Sequence, residues 1–161
     1  MNDCMSHQTK IKGDLALMMV MASLTRAGCA SFLPVSDHLP IDLIAMAESG
    51  EVARIQVKYS SLRNGAIAFK LTTVYSNSKG SHKTRYDLSK IDGFAIYCPE
   101  TETAYFVRSG ELGTCKDEFS LRVSPSDRVG GKPFRWAKEY TDPLRLFETI
   151  PSVVVAEPSV N

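Results

Sequence analysis

Residues 52–59 read VARIQVKY and alternate without a break, with Val52, Arg54, Gln56 and Lys58 on one face and Ala53, Ile55, Val57 and Tyr59 on the other. A period of two is the signature of a β-strand. The apolar run Ile41–Ala47 lies just upstream, and Glu48-Ser49-Gly50-Glu51 between the two runs has the composition of a tight turn. The segment therefore reads as a β-hairpin. Its antiparallel return brings position 42 beside positions 56–58.

Other segments place this hairpin in a mixed α/β fold. Residues 9–27 are expected to form a helix, with Ile11, Leu15, Met18 and Ala22 on one face and Leu17, Met21 and Leu24 on a second, so that most of its sides are buried. Gly28 suits its C-cap, and Asp14 lies toward its N-terminal half, where a carboxylate complements the helix dipole. Residues 29–33 suit a short extended segment, and Pro34 to Pro40 a turn-rich connection. Strands are expected over 66–75, 92–97, 104–107 and 119–123. Residues 76–85 read as a polar, basic loop, and 134–140 as a helical turn or a segment pinned by Trp136.

With 161 residues, 43% of them hydrophobic, the chain suits one compact domain. The expected organisation is an N-terminal extension at 1–8, a domain at 9–140 and a C-terminal tail at 141–161, frayed toward its end. The four cysteines, Cys4, Cys29, Cys98 and Cys115, form no CxxC pair, which argues against a structural zinc site. The start is polar and carries no secretory pattern, and Leu15–Leu24 is shorter than the roughly 20 residues a membrane span needs. The expectation is a cytoplasmic protein with no membrane partner.

The hairpin gathers a carboxylate, an amide and an ammonium group. Asp42 opens one strand, and Gln56 and Lys58, two residues apart, share a face near the end of its partner. Hard oxygen ligands suit Mg²⁺, which takes one or two carboxylates and keeps several waters. An ammonium suits the charge that develops on a phosphate under attack. Taken singly, each residue has a bland reading: Asp42 as a turn acid, Lys58 as an exposed strand lysine, Asp14 as a helix-terminal acid. Asp37 and His38 suit the turn before Asp42, and neither His7 nor His82 suggests catalysis. The arrangement carries the chemistry.

This arrangement resembles the PD-(D/E)XK nuclease superfamily. Ile41-Asp42 stands for the PD pair, Gln56-Val57-Lys58 for (D/E)XK, and Asp14 for the acid that many members carry on the preceding helix. DLIAMAESGEVARIQVK at 42–58, IDGFAIYCPETETAYFV at 91–107 and PFRWAKEY at 133–140 are similar to the group I intron-associated endonucleases of that superfamily, which include cyanobacterial homing endonucleases. The likeness spans about residues 9–140. It implies a restriction-endonuclease-like core, a mixed central β-sheet flanked by helices. It also implies a site-specific, double-strand DNA endonuclease with Mg²⁺ held by Asp42, the Val57 carbonyl, Gln56 and Asp14, and with Lys58 at the attacking water. Gln56 departs from the usual acid, which keeps a catalytically inactive DNA-binding module open as an alternative. Restriction-type and Holliday-junction-resolving enzymes share the same core.

Net charge is +1, but residues 54–90 hold eight basic side chains and one acidic one. Such a block can present a basic face to a polyanion. Arg63, Lys70, Lys79, Lys83, Arg85 and Lys90 are expected near DNA phosphates, with Asn64, Ser76, Asn77, Ser78 and Arg85 able to reach base edges. Arg122, Arg128, Lys132, Arg135 and Lys138 form a second expected contact region. One active site cuts one strand, so double-strand cleavage implies a homodimer or homotetramer.

Overall fold

The computed structural model describes residues 3–36, 38–77, 80–115, 117–125 and 134–148. Its one α-helix among the described residues, α1 (Asp3–Arg26), is followed by strands β1 (Ala30–Phe32), β2 (Leu43–Met46), β3 (Val52–Tyr59), β4 (Leu62–Arg63), β5 (Ala66–Lys70), β6 (Thr72–Asn77), β7 (Gly80–Arg85), β8 (Gly93–Cys98), β9 (Thr103–Arg108) and β10 (Glu118–Arg122). The central sheet has the order β1-β2-β3-β8-β9. Its β3–β8 pair is parallel and its other pairs are antiparallel, so the sheet is mixed, as expected.

Strand β8 is buried along its whole length, and its alternation divides the interior into two cores. Ala95 and Tyr97 join Ala45, Ala53, Ile55, Ala104 and Phe106 beneath α1. Phe94, Ile96 and Cys98 face the other way, toward Ile67, Phe69, Phe119 and Leu121 of a three-stranded sheet ordered β10-β5-β4. The Phe69 ring lies 5.3 Å from Phe94 and 5.6 Å from Phe119, centroid to centroid. A small sheet thus covers the face opposite α1.

The helix starts at Asp3, upstream of the expected residue 9, and ends at the expected Gly28, where the Cys29 amide reaches back to the Leu24 carbonyl at 3.0 Å. Its orientation corrects the expected burial. Ala16, Val20 and Leu24 are fully buried, whereas Ile11, Leu15 and Met18 are 63%, 42% and 60% exposed and Ala22 is exposed too. The sheet beneath α1 is floored by Ala45, Ala53, Ala95 and Ala104. Small side chains let the helix approach closely along its narrow Ala16–Val20 side, and close packing favours that side. The periodicity showed several apolar faces and could not rank them.

Two more expectations change. The strand read over 66–75 breaks at Leu71, whose buried side chain anchors a crossing between β5 and β6 in different sheets. The loop read over 76–85 is an antiparallel ribbon, β6–β7, in register from Thr72↔Arg85 to Asn77↔Gly80. Backbone pairing holds a ribbon without apolar alternation, so a polar segment gave no strand signal. In the C-terminal segment, Pro143–Phe147 forms a 3-10 turn with Leu146 in the α1-side core. The expected fraying at 150–161 falls outside the described residues.

Candidate active site

The turn at 48–51 sets the site's register. Gly50 has φ +89°, a conformation that favours glycine, and its amide donates to the Ala47 carbonyl at 2.9 Å. From this turn β2 and β3 pair from Met46↔Val52 to Leu43↔Ile55, which sets Asp42 opposite Gln56. The Asp42 amide donates to the Ile55 carbonyl at 2.9 Å, the last backbone bond of this ladder before the chain leaves the sheet. Beyond that point the side chain takes over. Asp42 Oδ2 accepts from the Val57 amide at 2.8 Å and from Gln56 Nε2.

Gln56 is 8% exposed, and Lys58 follows on the same face. Lys58 Nζ donates to the Tyr86 hydroxyl at 2.6 Å and lies 4.5 Å from the Tyr86 ring centroid. Burial pushes the Asp42 carboxyl above its usual range, against the opposing pull of the Val57 amide, the Lys58 charge and the Gln56 amide. This carboxylate is desolvated beyond what its neighbours offset, and a bound cation would supply the missing compensation.

Two clefts meet at Asp42. One, of about 460 Å³, is lined by Lys10, Asp14, Ser36, Asp42 and Val57 among others. The second, of about 410 Å³, is lined by His38, Gln56, Thr73, Thr84, Arg85 and Tyr86 as well as Asp42. Asp14 is exposed and shares the first cleft with Asp42. Among the described residues no three of His, Cys, Asp and Glu gather into a metal cluster. The donors at hand are therefore two carboxylates, the Val57 carbonyl and the Gln56 amide. An oxygen set with few charges suits a hard divalent cation that retains waters. Gln56 turns its amide nitrogen to Asp42; the same side chain with the amide turned over offers its oxygen.

The expected DNA contacts divide. Arg63 borders a third cleft with Lys12, Tyr59, Ser61 and Lys70. Arg85 borders the second cleft and donates to the Cys115 carbonyl at 2.6 Å, while Lys83 pairs with Asp117 at 2.9 Å. Lys90 pairs with Asp87 at 3.5 Å. Arg122 gives its guanidinium to the carbonyls of Asn64, Ser124 and Pro125, a clamp on two turns. Arg135 stacks over Phe119 at 4.5 Å. Arg122 and Lys138 border a fourth cleft, whose lining has no residue in common with the Asp42 clefts. Lys79, Ser78, Asp37, Arg128 and Lys132 lie outside the described residues. Tyr86, Lys10, Thr73 and Thr84 join the site without having been singled out in the sequence. Tyr86 meets Lys58 across 28 positions, and no local pattern encodes such a contact.

A family model described as PD-(D/E)XK endonuclease matches residues 7–143. Among solved structures, the fold is similar to that of the bacterial homing endonuclease I-Ssp6803I, with TM-score 0.68 and 22% identity over 86% of this chain and 92% of that one. It is also matched to Hjc, a Holliday junction resolvase of Archaeoglobus fulgidus, with TM-score 0.45 and 16% identity over 69% of this chain and 84% of the other. No curated protein matches the chain.

Proposed function

Because the chain belongs to the PD-(D/E)XK endonuclease family, we propose that it is a Mg²⁺-dependent endonuclease that hydrolyses phosphodiester bonds at specific sites in double-stranded DNA, as homing endonucleases do. The observation that carries this reading is the Asp42 carboxylate, fixed by the Val57 amide at 2.8 Å, with Gln56 and Lys58 on one face beside it.

Asp42, the Val57 carbonyl, Gln56 and Asp14 would hold the metal. Bound there, Mg²⁺ supplies a water of lowered pKa and positive charge toward the scissile phosphate. The chain's own groups do the rest. The Val57 amide keeps the Asp42 carboxylate at one angle, so its reach into both clefts is set before DNA arrives. The Lys58 ammonium orients the attacking water and stabilises charge that grows on the phosphate oxygens. Cleavage leaves 5′-phosphate and 3′-hydroxyl ends.

DNA affinity comes from the cations around these clefts. Arg63 with Lys12 and Lys70 forms one group, and Lys10 and Arg85 flank Asp42 on either side. On sequence grounds Lys79, Arg128 and Lys132 are further proposed contacts, as are Asn64, Lys83, Arg122 and Arg135. Each phosphate contact deepens the salt dependence of binding. Cutting both strands calls for a homodimer or homotetramer. The exposed Ile11, Leu15 and Met18 of α1 offer apolar surface for that contact.

A library of plasmids carrying tRNA-gene and other intron-insertion sequences tests the proposal. Cutting at a few sites in Mg²⁺ and none in EDTA is the expected outcome. DNA binding without cutting, and without heat of Mg²⁺ binding, would instead identify an inactive DNA-binding module.

A further inference from the structure

Tyr86 follows directly on β7, at the root of the ribbon, and two features fix it. Its amide donates to the Leu71 carbonyl at 3.1 Å, and Leu71 is itself fully buried and held by the Asp117 carbonyl at 2.8 Å. Its ring packs edge-on against Phe94, with centroids 5.7 Å apart at 75°. Phe94 is fully buried and lies in register with Gln56 on the neighbouring strand. The phenol is therefore anchored from its backbone and from its ring, and it lines the cleft that Asp42 and Gln56 share.

The Lys58 backbone is fixed in β3, but its side chain is long. A lysine side chain has four flexible bonds and loses substantial rotamer entropy when its ammonium is held at one point. The Tyr86 hydroxyl accepts from Lys58 Nζ at 2.6 Å, and the ring lies 4.5 Å from the same nitrogen. Two contacts from one rigid side chain hold the ammonium beside Tyr86, which itself lines the Asp42 cleft. A phenol oxygen also differs from a carboxylate in kind. It holds the ammonium without neutralising it, so the full positive charge stays available to a phosphate.

We propose that Tyr86 is a positioning residue for DNA cleavage, acting through Lys58. The inference rests on the reading of Lys58 as part of a nuclease centre. Tyr86 meets the ammonium and leaves the reacting atoms to Lys58 and Asp42.

The test combines kinetics with a readout that needs no cleavage. Tyr86→Phe keeps the ring and removes the acceptor. It should lower kcat about tenfold, the loss expected for one hydrogen bond to a charged group. KM, DNA affinity and melting temperature should stay at wild-type values, which a merely structural role would not predict. Tyr86→Leu removes the ring as well and should cost more. In parallel, lysines are dimethylated with ¹³C-formaldehyde and the Lys58 methyl resonance is assigned from its loss in Lys58→Arg. Ring current should displace that resonance from the free-lysine position in wild type and in Tyr86→Phe, and Tyr86→Leu should return it. A Lys58 resonance at the free-lysine position in wild type overturns the inference, and so does wild-type kcat in Tyr86→Phe. If wild type cuts and Asp42→Ala does not, an unchanged Tyr86→Phe rate counts against Tyr86 alone. If wild type cuts nothing in the library, the nuclease reading fails and takes the inference with it.

Discussion

The Val57 amide donates to Asp42 Oδ2 at 2.8 Å, and this bond joins the end of one hairpin strand to the middle of the next. It exists because β2 begins two residues short of covering Val57, so a side chain completes what the backbone ladder leaves open. The same bond holds a carboxylate in a place where burial works against its charge.

The first prediction follows from that burial. A folded carboxyl pushed above its usual range disfavours the charged form, so ionised Asp42 costs stability at neutral pH, and the cost shrinks as pH falls toward its folded value. Asp42→Asn keeps an acceptor for the Val57 amide and removes the charge. In EDTA at neutral pH this variant should melt higher than wild type by a few degrees, read by circular dichroism, although it should not cut DNA.

A second prediction concerns the parallel pair at the centre of the sheet. Asp92 accepts from the Arg54 amide at 2.7 Å and from the Arg54 guanidinium at 2.9 and 2.8 Å, and returns a bond from its own amide to the Arg54 carbonyl at 2.8 Å. The Arg54 side chain holds the Asp92 carboxyl below its usual range. A depressed carboxyl contributes stability above its unfolded pKa, about 3.9, and loses it as pH falls through its lower folded value. Both side chains are part-exposed, so screening limits the charge contribution to about 1 kcal/mol. The stability gap between wild type and Asp92→Asn should be full at neutral pH, narrow below about pH 4, and close in stronger acid. Urea melts across this range check it.

Packing of the C-terminal segment gives a third. A Cβ on Gly93 would stand 2.4 Å from Leu146 Cδ2 and 2.9 Å from the Val107 carbonyl. The leucine tip can shift, but the carbonyl belongs to the paired strand β9 and cannot. Gly93→Ala should lose about 1 to 3 kcal/mol, and adding Leu146→Ala should relieve only part of the strain. Thermal melts of the two single variants and the double variant read the coupling.

The exposed face of α1 gives a fourth. Met18→Glu changes a side chain that is 60% exposed and outside both cores. It should leave the melting temperature of the isolated subunit unchanged while lowering the mass measured by light scattering. Unchanged mass would contradict the proposed use of this face as a subunit contact.

How far the sequence reaches depends on what each element relies on. The hairpin was legible because β3 alternates and its turn carries glycine, and with it came the contact of Asp42 with Gln56 and the placing of Lys58 on the face of Gln56. The β8–β9 pair was legible from its apolar runs. Of the β6–β7 ribbon, residues 72–75 fell within the strand read over 66–75, whereas 76–85 read as a loop, because that stretch is polar and is held by backbone pairing. The buried face of α1 was hidden by competing apolar stripes, and the alanines that decide between them lie on four separate stretches of sheet. Arg122 reads as a DNA cation in sequence, and its bracing of the turns near Asn64 and Ser124 has no local signature. Tyr86 has no signature at all, since its role is set by a side chain 28 positions away.

The central claim is that Asp42 and Lys58 belong to one nuclease centre. Its most direct test is the cleavage rate of wild type, Asp42→Ala and Lys58→Ala on a target recovered from the plasmid library, in saturating Mg²⁺, with DNA affinity measured alongside. The account predicts that both variants bind DNA within a few fold of wild type and cut at least about a hundredfold more slowly. Wild-type cleavage by either variant would contradict it.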